Sequence, residues 1–471
     1  MNFNEDTICA IATSLTPSGI GIIRVSGNNS IKIVSNIFVD KNKNNININT
    51  THKIKYGFIY DKEKKFFIDE VLVLTFIAPH SYTAEDVVEI QCHGGPVVLK
   101  EILSLIENEG ARIAEPGEFT KRAFLNGRID LSKAEAVADI ISSKNKYARL
   151  ASFAELKGNL SDKINSYRKE LLESIAFIEA CLDDPEHLSI DGFKPKLKSQ
   201  IENIEKNLDI IIKNYDNGKI IKEGINTVIL GKPNVGKSSL LNLLLGEERS
   251  IVTDIAGTTR DIIKESINLN GLTLNLIDTA GIREDENLDK VEAIGIDRAK
   301  STLKNADLVL LVIDISTDFD KNDKSLINLC LNQNKKYIIL LNKIDKKNTT
   351  TDLDIQNQIK NIIASDSCII PFSTKTKVGF DTLKDTITNM FINKNLDFNN
   401  EIFISNLRQL SSIKSANVSL SNVLKSIEEN LSEDFLTIDL TDAYTYLSQV
   451  LGIETTDDVI NEIFSKFCMG K

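Results

Sequence analysis

The sequence contains no run of about 20 apolar residues, which is the length an α-helix needs to cross a bilayer. Its first residues, Met1 to Asp6, also lack the basic start and apolar stretch of a secretory signal. We therefore expect no membrane span, no membrane partner and a cytoplasmic location.

Paired cysteines are absent as well. The six cysteines occur singly, and no CxxC or Cys/His ligand spacing is present. This scatter excludes a disulfide framework or a zinc site of familiar spacing, and it is typical of a reducing compartment. The six are Cys9, Cys92, Cys181, Cys330, Cys368 and Cys468.

An excess of basic residues is the third absence. The chain has 56 Lys and Arg against 67 Asp and Glu, giving a net charge of −11. A protein that grips nucleic acid alone usually presents a basic face. A local patch remains compatible with this charge, but the balance argues against this chain supplying most phosphate contacts to a nucleic acid.

The 471 residues are enough for two to four domains. Residues 1–120 mix short β-rich runs with turns, whereas 121–217 and 390–471 carry apolar residues at helical spacings of three and four, as at 133–141 and 164–181. Between them, 218–389 alternates apolar strands with helices, which predicts a doubly wound parallel sheet. The predicted strands are Ile225–Leu230, Leu272–Ile277, Leu308–Ile313, Tyr337–Leu341 and Cys368–Pro371. We predict a multi-domain α/β protein in which one helical domain carries an inserted nucleotide domain.

A glycine-rich octet at 231–238 fits the pattern GxxxxGK[ST], after the predicted strand Ile225–Leu230 and before an apolar helix. Glycines in such a loop let backbone N–H groups curve around phosphate oxygens at a helix N-terminus. Lys237 would reach the β- and γ-phosphates, and the Ser238 hydroxyl would bind Mg²⁺. The octet therefore predicts a nucleotide site.

Three later segments, each at the end of a predicted strand, reinforce this prediction. The last of them, Ser373-Thr374-Lys375, lies where a loop backbone would meet O6 of guanine. Asp278 could hold Mg²⁺ through water, and the N–H of Gly281 could sense the γ-phosphate. Asp345 could accept hydrogen bonds from N1 and the 2-amino group of guanine, which adenine cannot offer. The predicted GTP-binding residues are Asn234, Val235, Gly236, Lys237, Ser238, Ser239, Thr253, Asp254, Ile255, Ala256, Gly257, Thr258, Thr259, Asp278, Thr279, Ala280, Gly281, Asn342, Lys343, Asp345, Ser373, Thr374 and Lys375.

Hydrolysis needs another explanation, because Ile282 stands where signalling GTPases place a water-orienting Gln. Asn234 and the hydroxyl-rich run 253–261 offer oxygen ligands for a monovalent cation beside the phosphates, although Asn234 also suits a turn after proline. Thr259 is the expected second Mg²⁺ ligand. Glu292 could orient the attacking water or could be an exposed helix charge.

Asn234, the run 253–261 and the run 291–296 closely resemble the MnmE (TrmE) family, the GTPases of tRNA wobble-uridine modification. The flanks strengthen the resemblance, which extends over essentially the whole chain. The flanking segments are Asp6 to Ile8, Gly19 to Gly27, Ser81 to Glu89, His93 to Gly95, Pro116 to Gly127, Ala134 to Asp139 and the terminal Phe467-Cys468-Met469-Gly470-Lys471.

The resemblance implies an N-terminal α+β domain at 1–120 that binds 5-formyl- or 5,10-methylene-tetrahydrofolate and forms a homodimer. It implies a helical domain in two parts, 121–217 and 390–471, carrying a Ras-like P-loop GTPase domain at 218–389. Glu292 matches the catalytic glutamate, and the GTPase domains would pair around K⁺ in the GTP state. The K⁺ ligands would be Asn234, Thr253, Ile255 and Thr258.

The resemblance further implies a reaction and a partner. With an FAD-containing subunit, MnmG (GidA), such a protein adds an aminomethyl or carboxymethylaminomethyl group to C5 of uridine 34 in certain tRNAs, and GTP hydrolysis drives a conformational change. The folate-binding residues would be Arg24, Glu89, Arg128 and Lys471. Arg128 stands where the family pattern leads us to expect lysine.

Cys468 has two interpretations: an inert cysteine near the terminus, or a catalytic residue of the modification, such as a nucleophile near the folate. Two other functions also fit the GTPase motifs. One is a ribosome-assembly GTPase, which would normally carry a basic RNA-binding appendage that this sequence does not show. The other is a folate- and nucleotide-responsive switch without a part in the chemistry.

Overall fold

The computed structural model describes residues 6–184, 192–246, 265–277, 303–333, 335–346, 349–362, 369–392, 401–467 and 470. The chain divides into two compact units. Unit 1 comprises Met1–Ala138, Glu155–Glu205 and Ser412–Lys471, and unit 2 comprises Asp139–Ala154 and Lys206–Ser411. The domain boundaries predicted above stay predictions.

The described strands are β1 (Ile8–Ile11), β2 (Ser18–Ser26), β3 (Phe38–Val39), β4 (Lys53–Asp61), β5 (Phe66–Phe76), β6 (Val87–Gly94), β7 (Arg112–Ile113), β8 (Ile225–Leu230), β9 (Glu265–Leu269), β10 (Leu272–Leu276), β11 (Leu308–Asp314), β12 (Lys336–Asn342) and β13 (Ile369–Pro371). The described helices are α1 (Ser30–Ile37), α2 (Pro96–Asn108), α3 (Glu118–Leu125), α4 (Leu131–Ser142), α5 (Lys146–Lys157), α6 (Asn159–Asp183), α7 (Phe193–Lys213), α8 (Tyr215–Glu223), α9 (Lys237–Leu245), α10 (Lys321–Asn332), α11 (Thr349–Lys360), α12 (Phe380–Phe391), α13 (Leu407–Glu428), α14 (Glu433–Val450) and α15 (Asp457–Ser465). Among these helices, none combines the length and apolar character needed to span a bilayer.

Unit 1 contains a seven-stranded sheet in the order β3-β4-β5-β6-β2-β1-β7. Its pairs are antiparallel except β1 with β7. Alternate residues such as Ile23, Val88 and Val73 are buried in one core with residues of α1 and α2. The opposite face carries the row Arg24, Glu89, Leu74 and Ile54, so this face presents the ionic pair discussed below.

The helical part of unit 1 packs α6 against α14. Arg168 on α6 donates from Nε to Ser448 Oγ over 2.9 Å and from Nη2 to Tyr444 Oη over 3.0 Å. The helical spacings at 133–141 and 164–181 fall within α4 and α6, which confirms those two helix predictions.

Unit 2 contains a six-stranded sheet in the order β13-β12-β11-β8-β10-β9. Its pairs are parallel except β9, which joins β10 as a hairpin through Asn270 and Gly271. Both turn residues have positive φ, 50° and 82°, as a two-residue hairpin turn requires. The predicted doubly wound sheet is therefore confirmed, with one antiparallel edge strand that the sequence did not indicate.

The predicted strands of unit 2 coincide with β8, β10, β11, β12 and β13 to within a residue or two where the structure describes them. Strands β8, β12 and β13 all end at the same edge of the sheet, because parallel strands share a direction. That edge is where a sheet of this class binds its ligand.

Candidate functional site

The loop between β8 and α9 is held by its own lysine. Lys237 donates from Nζ to the main-chain oxygen of Gly231 over 2.8 Å and to that of Lys232 over 3.2 Å. Gly236 caps α9 with φ of 106°, a conformation that favours glycine, and places Lys237 at the first helical position. The loop therefore wraps back on the ammonium group predicted to reach phosphate.

Two glycines of this loop have no room for a side chain. A Cβ on Gly231 would meet the main-chain oxygen of Val312, and one on Gly236 would meet Nδ2 of Asn342. Asn234 adopts φ of 61°, the left-handed conformation that asparagine tolerates better than most residues, and its side chain is exposed. The sequence pattern thus reflects close packing at two glycines and a left-handed backbone at Asn234.

Asn342, at the end of β12, connects two loops of the site. Its Nδ2 donates to the main-chain oxygen of Val235 over 2.8 Å, and its Oδ1 accepts from the N–H of Thr374 over 3.1 Å. The side chain is fully buried. One amide therefore sets the phosphate loop and the loop after β13 relative to each other.

Lys343 makes a second connection. It donates from Nζ to the main-chain oxygen of Asn234 over 2.8 Å and forms an ion pair with Asp314. Asp314 also accepts from the N–H and Oγ of Ser316 over 2.9 and 2.6 Å. Burial alone would raise the pKa of Asp314, but its hydrogen bonds from Lys343 and Ser316 bring it below the ordinary value.

Asp345 lies in a 3₁₀ turn, Ile344–Lys346, and is exposed. Ser373, which is fully buried, donates from Oγ to Asp345 Oδ1 over 2.7 Å. This hydrogen bond lowers the pKa of Asp345, so the carboxylate is ionised at neutral pH. An exposed, oriented carboxylate at this edge is the group that a guanine base would need.

The structure thus brings together the predicted residues of the phosphate loop, of 342–345 and of 373–375. The remaining predicted nucleotide, metal and catalytic residues lie outside the described residues. These are Thr253, Asp254, Ile255, Ala256, Gly257, Thr258, Thr259, Asp278, Thr279, Ala280, Gly281, Glu292 and Cys468.

A second candidate site lies in unit 1 around Arg24 and Glu89. Arg24 donates from Nε to Glu89 Oε1 over 2.9 Å, and its Nη2 lies 2.8 Å from the same oxygen. Its Nη1 donates to the main-chain oxygen of Gly470 over 3.3 Å. A predicted folate-binding pair and a residue of the terminal motif therefore meet, while Lys471 lies outside the described residues.

Tyr82 lies close to both predicted arginines. The guanidinium carbon of Arg24 is 5.2 Å from the centre of the Tyr82 ring, and that of Arg128 is 5.1 Å from it. Arg128 also donates from Nη1 to the main-chain oxygen of Tyr82 over 2.9 Å. Tyr82 Oη is 2.8 Å from Thr120 Oγ1, which fixes the ring. Guanidinium groups at these distances are attracted to the ring face.

A cavity of about 460 Å³ opens beside these groups. Its size falls in the range of small-molecule sites, and it combines aromatic, cationic and carboxylate side chains. Its lining includes His52, Phe76, His80, Tyr82, Glu89 and Arg128.

Several site residues were missed by the sequence reasoning. Asp314 gave a possible signal, because it ends an apolar strand as Asn342 does. Tyr82 was noted only as part of a motif, and Lys232 only as a variable position of the octet. Their roles depend on contacts between residues distant in sequence, such as Lys232 with Asp320.

Known proteins resemble this chain over essentially its whole length. The family described as MnmE helical domain matches residues 131–468, and the family described as GTP-binding protein TrmE N-terminus matches residues 7–128. A tRNA modification GTPase MnmE from Lachnoclostridium phytofermentans is 48% identical over 467 residues, covering 99% of both chains. Proteins of the same description from Acetivibrio thermocellus and Natranaerobius thermophilus are 46% and 43% identical, covering 100% and 99% of this chain and 100% of each relative.

Proposed function

The chain belongs to the MnmE family of tRNA modification GTPases, and we propose that it couples K⁺-stimulated GTP hydrolysis to modification of uridine 34 in certain tRNAs. Membership of this family makes it a GTP hydrolase. The products would be 5-carboxymethylaminomethyl- or aminomethyl-uridine. The observation that carries the nucleotide part is Asn342, whose two hydrogen bonds join the phosphate loop to the loop beside Asp345.

The nucleotide would lie along this edge of the sheet. Asp345 would accept from N1 and the 2-amino group of guanine, and Lys237 would contact the β- and γ-phosphates. Ser238 and Thr259 would hold Mg²⁺, which neutralises charge that develops on the transferred phosphoryl group. Glu292 would orient the attacking water.

K⁺ would be held by the side chain of Asn234 together with Thr253, Ile255 and Thr258. The left-handed backbone and the exposure of Asn234 support this assignment, because an exposed carboxamide in the phosphate loop is accessible to a cation. Oxygen ligands suit a hard cation of this kind. A cation there would supply positive charge where other GTPases use an arginine.

Tetrahydrofolate would bind in the unit 1 cavity. A pterin presents donor groups that a carboxylate such as Glu89 can accept, and the glutamate tail of the folate presents carboxylates that suit Arg24, Arg128 or Lys471. The cavity volume and the mixed aromatic and charged lining fit such a ligand. Cys468 is close in sequence to Gly470, which contacts Arg24, and this proximity supports a role for its thiol in the modification.

The partners would be a second copy of this chain, the FAD-containing subunit MnmG (GidA) and tRNA. Ile54, Tyr56 and Leu72 are 60%, 58% and 39% exposed on the sheet face opposite α1 and α2, and such an apolar face supports pairing of residues 1–120 as a homodimer. The net charge of −11 supports a partner that makes most tRNA contacts. The single cysteines support a cytoplasmic location.

Nucleoside analysis of tRNA from a strain lacking the protein tests the proposal. We expect the modified uridine at position 34 to disappear and to return with the wild-type gene but not with Lys237→Ala. Normal modification in the deletion strain would reject the tRNA role. Full rescue by Lys237→Ala would instead support a protein whose GTPase is separate from the modification.

A further inference from the structure

Lys232 is the second residue of the phosphate loop, and its side chain contacts the start of helix α10. Its Nζ lies 3.0 Å from Asp320 Oδ2 and 2.7 Å from Asp323 Oδ2. The lysine side chain is 20% exposed and that of Asp323 only 3%. The Lys232–Asp323 ion pair is therefore shielded from solvent far better than an ordinary surface ion pair.

The two aspartates already form the capping box of α10. Asp320 Oδ1 accepts from the N–H of Asn322 and of Asp323, and Asp323 Oδ2 accepts from the N–H of Asp320. A capping box normally needs one charged group at most, whereas this one brings two carboxylates together. The Lys232 ammonium lies between them and compensates their repulsion.

The protonation behaviour agrees with this geometry. Burial raises the pKa of Asp323, and the hydrogen bond from Lys232 opposes the rise. Burial alone would lower the pKa of Lys232, but its hydrogen bonds to Asp323 and Asp320 raise it above the ordinary value. The charged forms of Lys232 and Asp323 therefore stabilise each other.

The same stretch of main chain also holds the phosphate-contacting lysine. The carbonyl oxygens that receive the Lys237 ammonium belong to Gly231 and to Lys232 itself. Fixing the Lys232 side chain on α10 therefore fixes the acceptors that orient Lys237.

We propose that Lys232 is a positioning residue for GTP hydrolysis. Its ion pairs with Asp320 and Asp323 at the start of α10 hold the main chain that orients Lys237. The inference deepens the proposed function and rests on the phosphate role given there to Lys237. The interaction matters most for GTP, because Lys237 would contact the γ-phosphate that GDP lacks.

The test measures the affinities of the full chain for the N-methylanthraniloyl derivatives of GTP and GDP, together with kcat and KM for GTP. We expect Lys232→Gln to weaken GTP binding about tenfold, the loss typical of one charge-assisted hydrogen bond, and to weaken GDP binding less. Lys232→Arg should restore most of the affinity, because a guanidinium can span the same two carboxylates. Lys321→Gln, which removes the same charge from an exposed position on α10, is the matched control and should behave as the wild type.

If Lys232→Gln binds GTP as tightly as the wild type does, and GDP likewise, the inference is overturned. If Lys232→Gln does not fold, as judged by circular dichroism, Asp323→Asn decides, because asparagine keeps an acceptor for the cap and removes only the charge. Loss of fold in both variants, or an equal loss of GTP and GDP affinity, would assign the cluster a purely structural role and overturn the inference.

The outcomes separate this inference from the proposed function. Failure of the wild type to bind GTP would reject the nucleotide site itself. Wild-type GTP affinity in Lys237→Ala would reject the role of Lys237. The inference on Lys232 fails alone if Lys237→Ala is impaired while Lys232→Gln is not.

Discussion

Asn342 donates a hydrogen bond from Nδ2 to the main-chain oxygen of Val235 over 2.8 Å, although the two residues are 107 positions apart. The same amide accepts from Thr374, so its two ends hold two loops that the sheet alone would leave independent. The side chain is fully buried, and water cannot replace either bond. We therefore expect nucleotide affinity and the stability of unit 2 to be coupled through this residue.

Replacing Asn342 by alanine should destabilise unit 2 by about 2–4 kcal/mol, because a buried carbonyl and a buried N–H each lose their partner. GTP affinity should fall with it. Hydrogen exchange of the amides in β8 and β12, with and without GTP, measures the effect. Asn226→Ala, on β8 outside the site, is the control. Wild-type protection in Asn342→Ala would contradict the coupling.

Asp345→Asn should weaken GTP binding at least about 100-fold, because an uncharged amide accepts only one of the two hydrogen bonds from guanine and sets a donor against the other. Binding of xanthosine triphosphate should improve relative to GTP, since an amide can donate to the 2-oxo group of xanthine. Competition titrations with the two nucleotides measure the ratio. Asp381→Asn on α12 is the control for loss of charge, because Asp381 is exposed outside the site. Unchanged GTP preference would remove Asp345 from base recognition.

Asn234→Gly tests the cation role without straining the loop. Glycine adopts φ of 61° freely, whereas alanine there would add about 1 kcal/mol of backbone strain. The wild type should hydrolyse GTP much faster in K⁺ than in Na⁺, and in Asn234→Gly the ratio of the two rates should approach one. Equal wild-type rates in the two salts would refute the K⁺ site, and a variant that keeps the wild-type ratio would refute the part of Asn234 in it.

The strands that are buried on both faces were the ones that could be predicted most clearly from the sequence. Strands β8, β11 and β12 are largely apolar because both faces of a parallel sheet are covered, so their runs of apolar residues are clear in the sequence. Strand β4 has an exposed half, and β7 has only two residues, which leaves no pattern to detect. Lys237 and Asp345 could be identified because each belongs to a short motif of neighbouring residues in the sequence.

Contacts between distant residues remained hidden. Nothing in the sequence around Lys232 indicates a contact with Asp320, which is 88 positions away. Nor does the sequence around Tyr82 indicate its contacts with Arg24 and Arg128. The segment 116–127 supported the family resemblance, but its sequence did not show that Glu118 and Arg122 are buried together.

Glu118→Gln should destabilise unit 1 by about 1.5–3 kcal/mol at pH 7, because the buried Glu118 would lose its charge-assisted hydrogen bonds from Arg112 and Arg122. The loss stays moderate because Arg122 keeps its ion pairs with Asp6 and Glu85. Burial alone would raise the pKa of Glu118, but hydrogen bonds from Arg112, the Glu115 N–H and Arg122 bring it below the ordinary value. A lowered folded pKa contributes stability above the unfolded pKa, and this contribution is lost as pH falls.

The difference between wild type and Glu118→Gln should therefore shrink as the pH falls from about 5 to about 3. Hydrogen exchange of α3 amides, referred to the intrinsic rate at each pH, measures the difference. Glu107→Gln, on α2 and outside this network, is the control and should show no such dependence. A difference that stays constant over this range would show that the carboxylate charge of Glu118 is not what stabilises the site.

Glu89→Gln should lower the affinity for 5-formyl-tetrahydrofolate at least about tenfold, because an amide accepts a donor edge more weakly than a carboxylate and loses the pair with Arg24. Asp69→Asn is a close control: Asp69 is on β5, pairs with His93 of β6 and lies outside the cavity lining. Calorimetric titration of the full chain compares the variants, and repeating it with a 5,10-methylene-tetrahydrofolate analogue indicates which folate the cavity prefers. An equal loss in both variants would point to a general charge effect on the sheet, and wild-type affinity in Glu89→Gln would place the folate elsewhere. If only Glu89→Gln loses affinity, the ion pair with Arg24 belongs to the ligand site, and its place on the open face of the sheet is explained by binding rather than by stability.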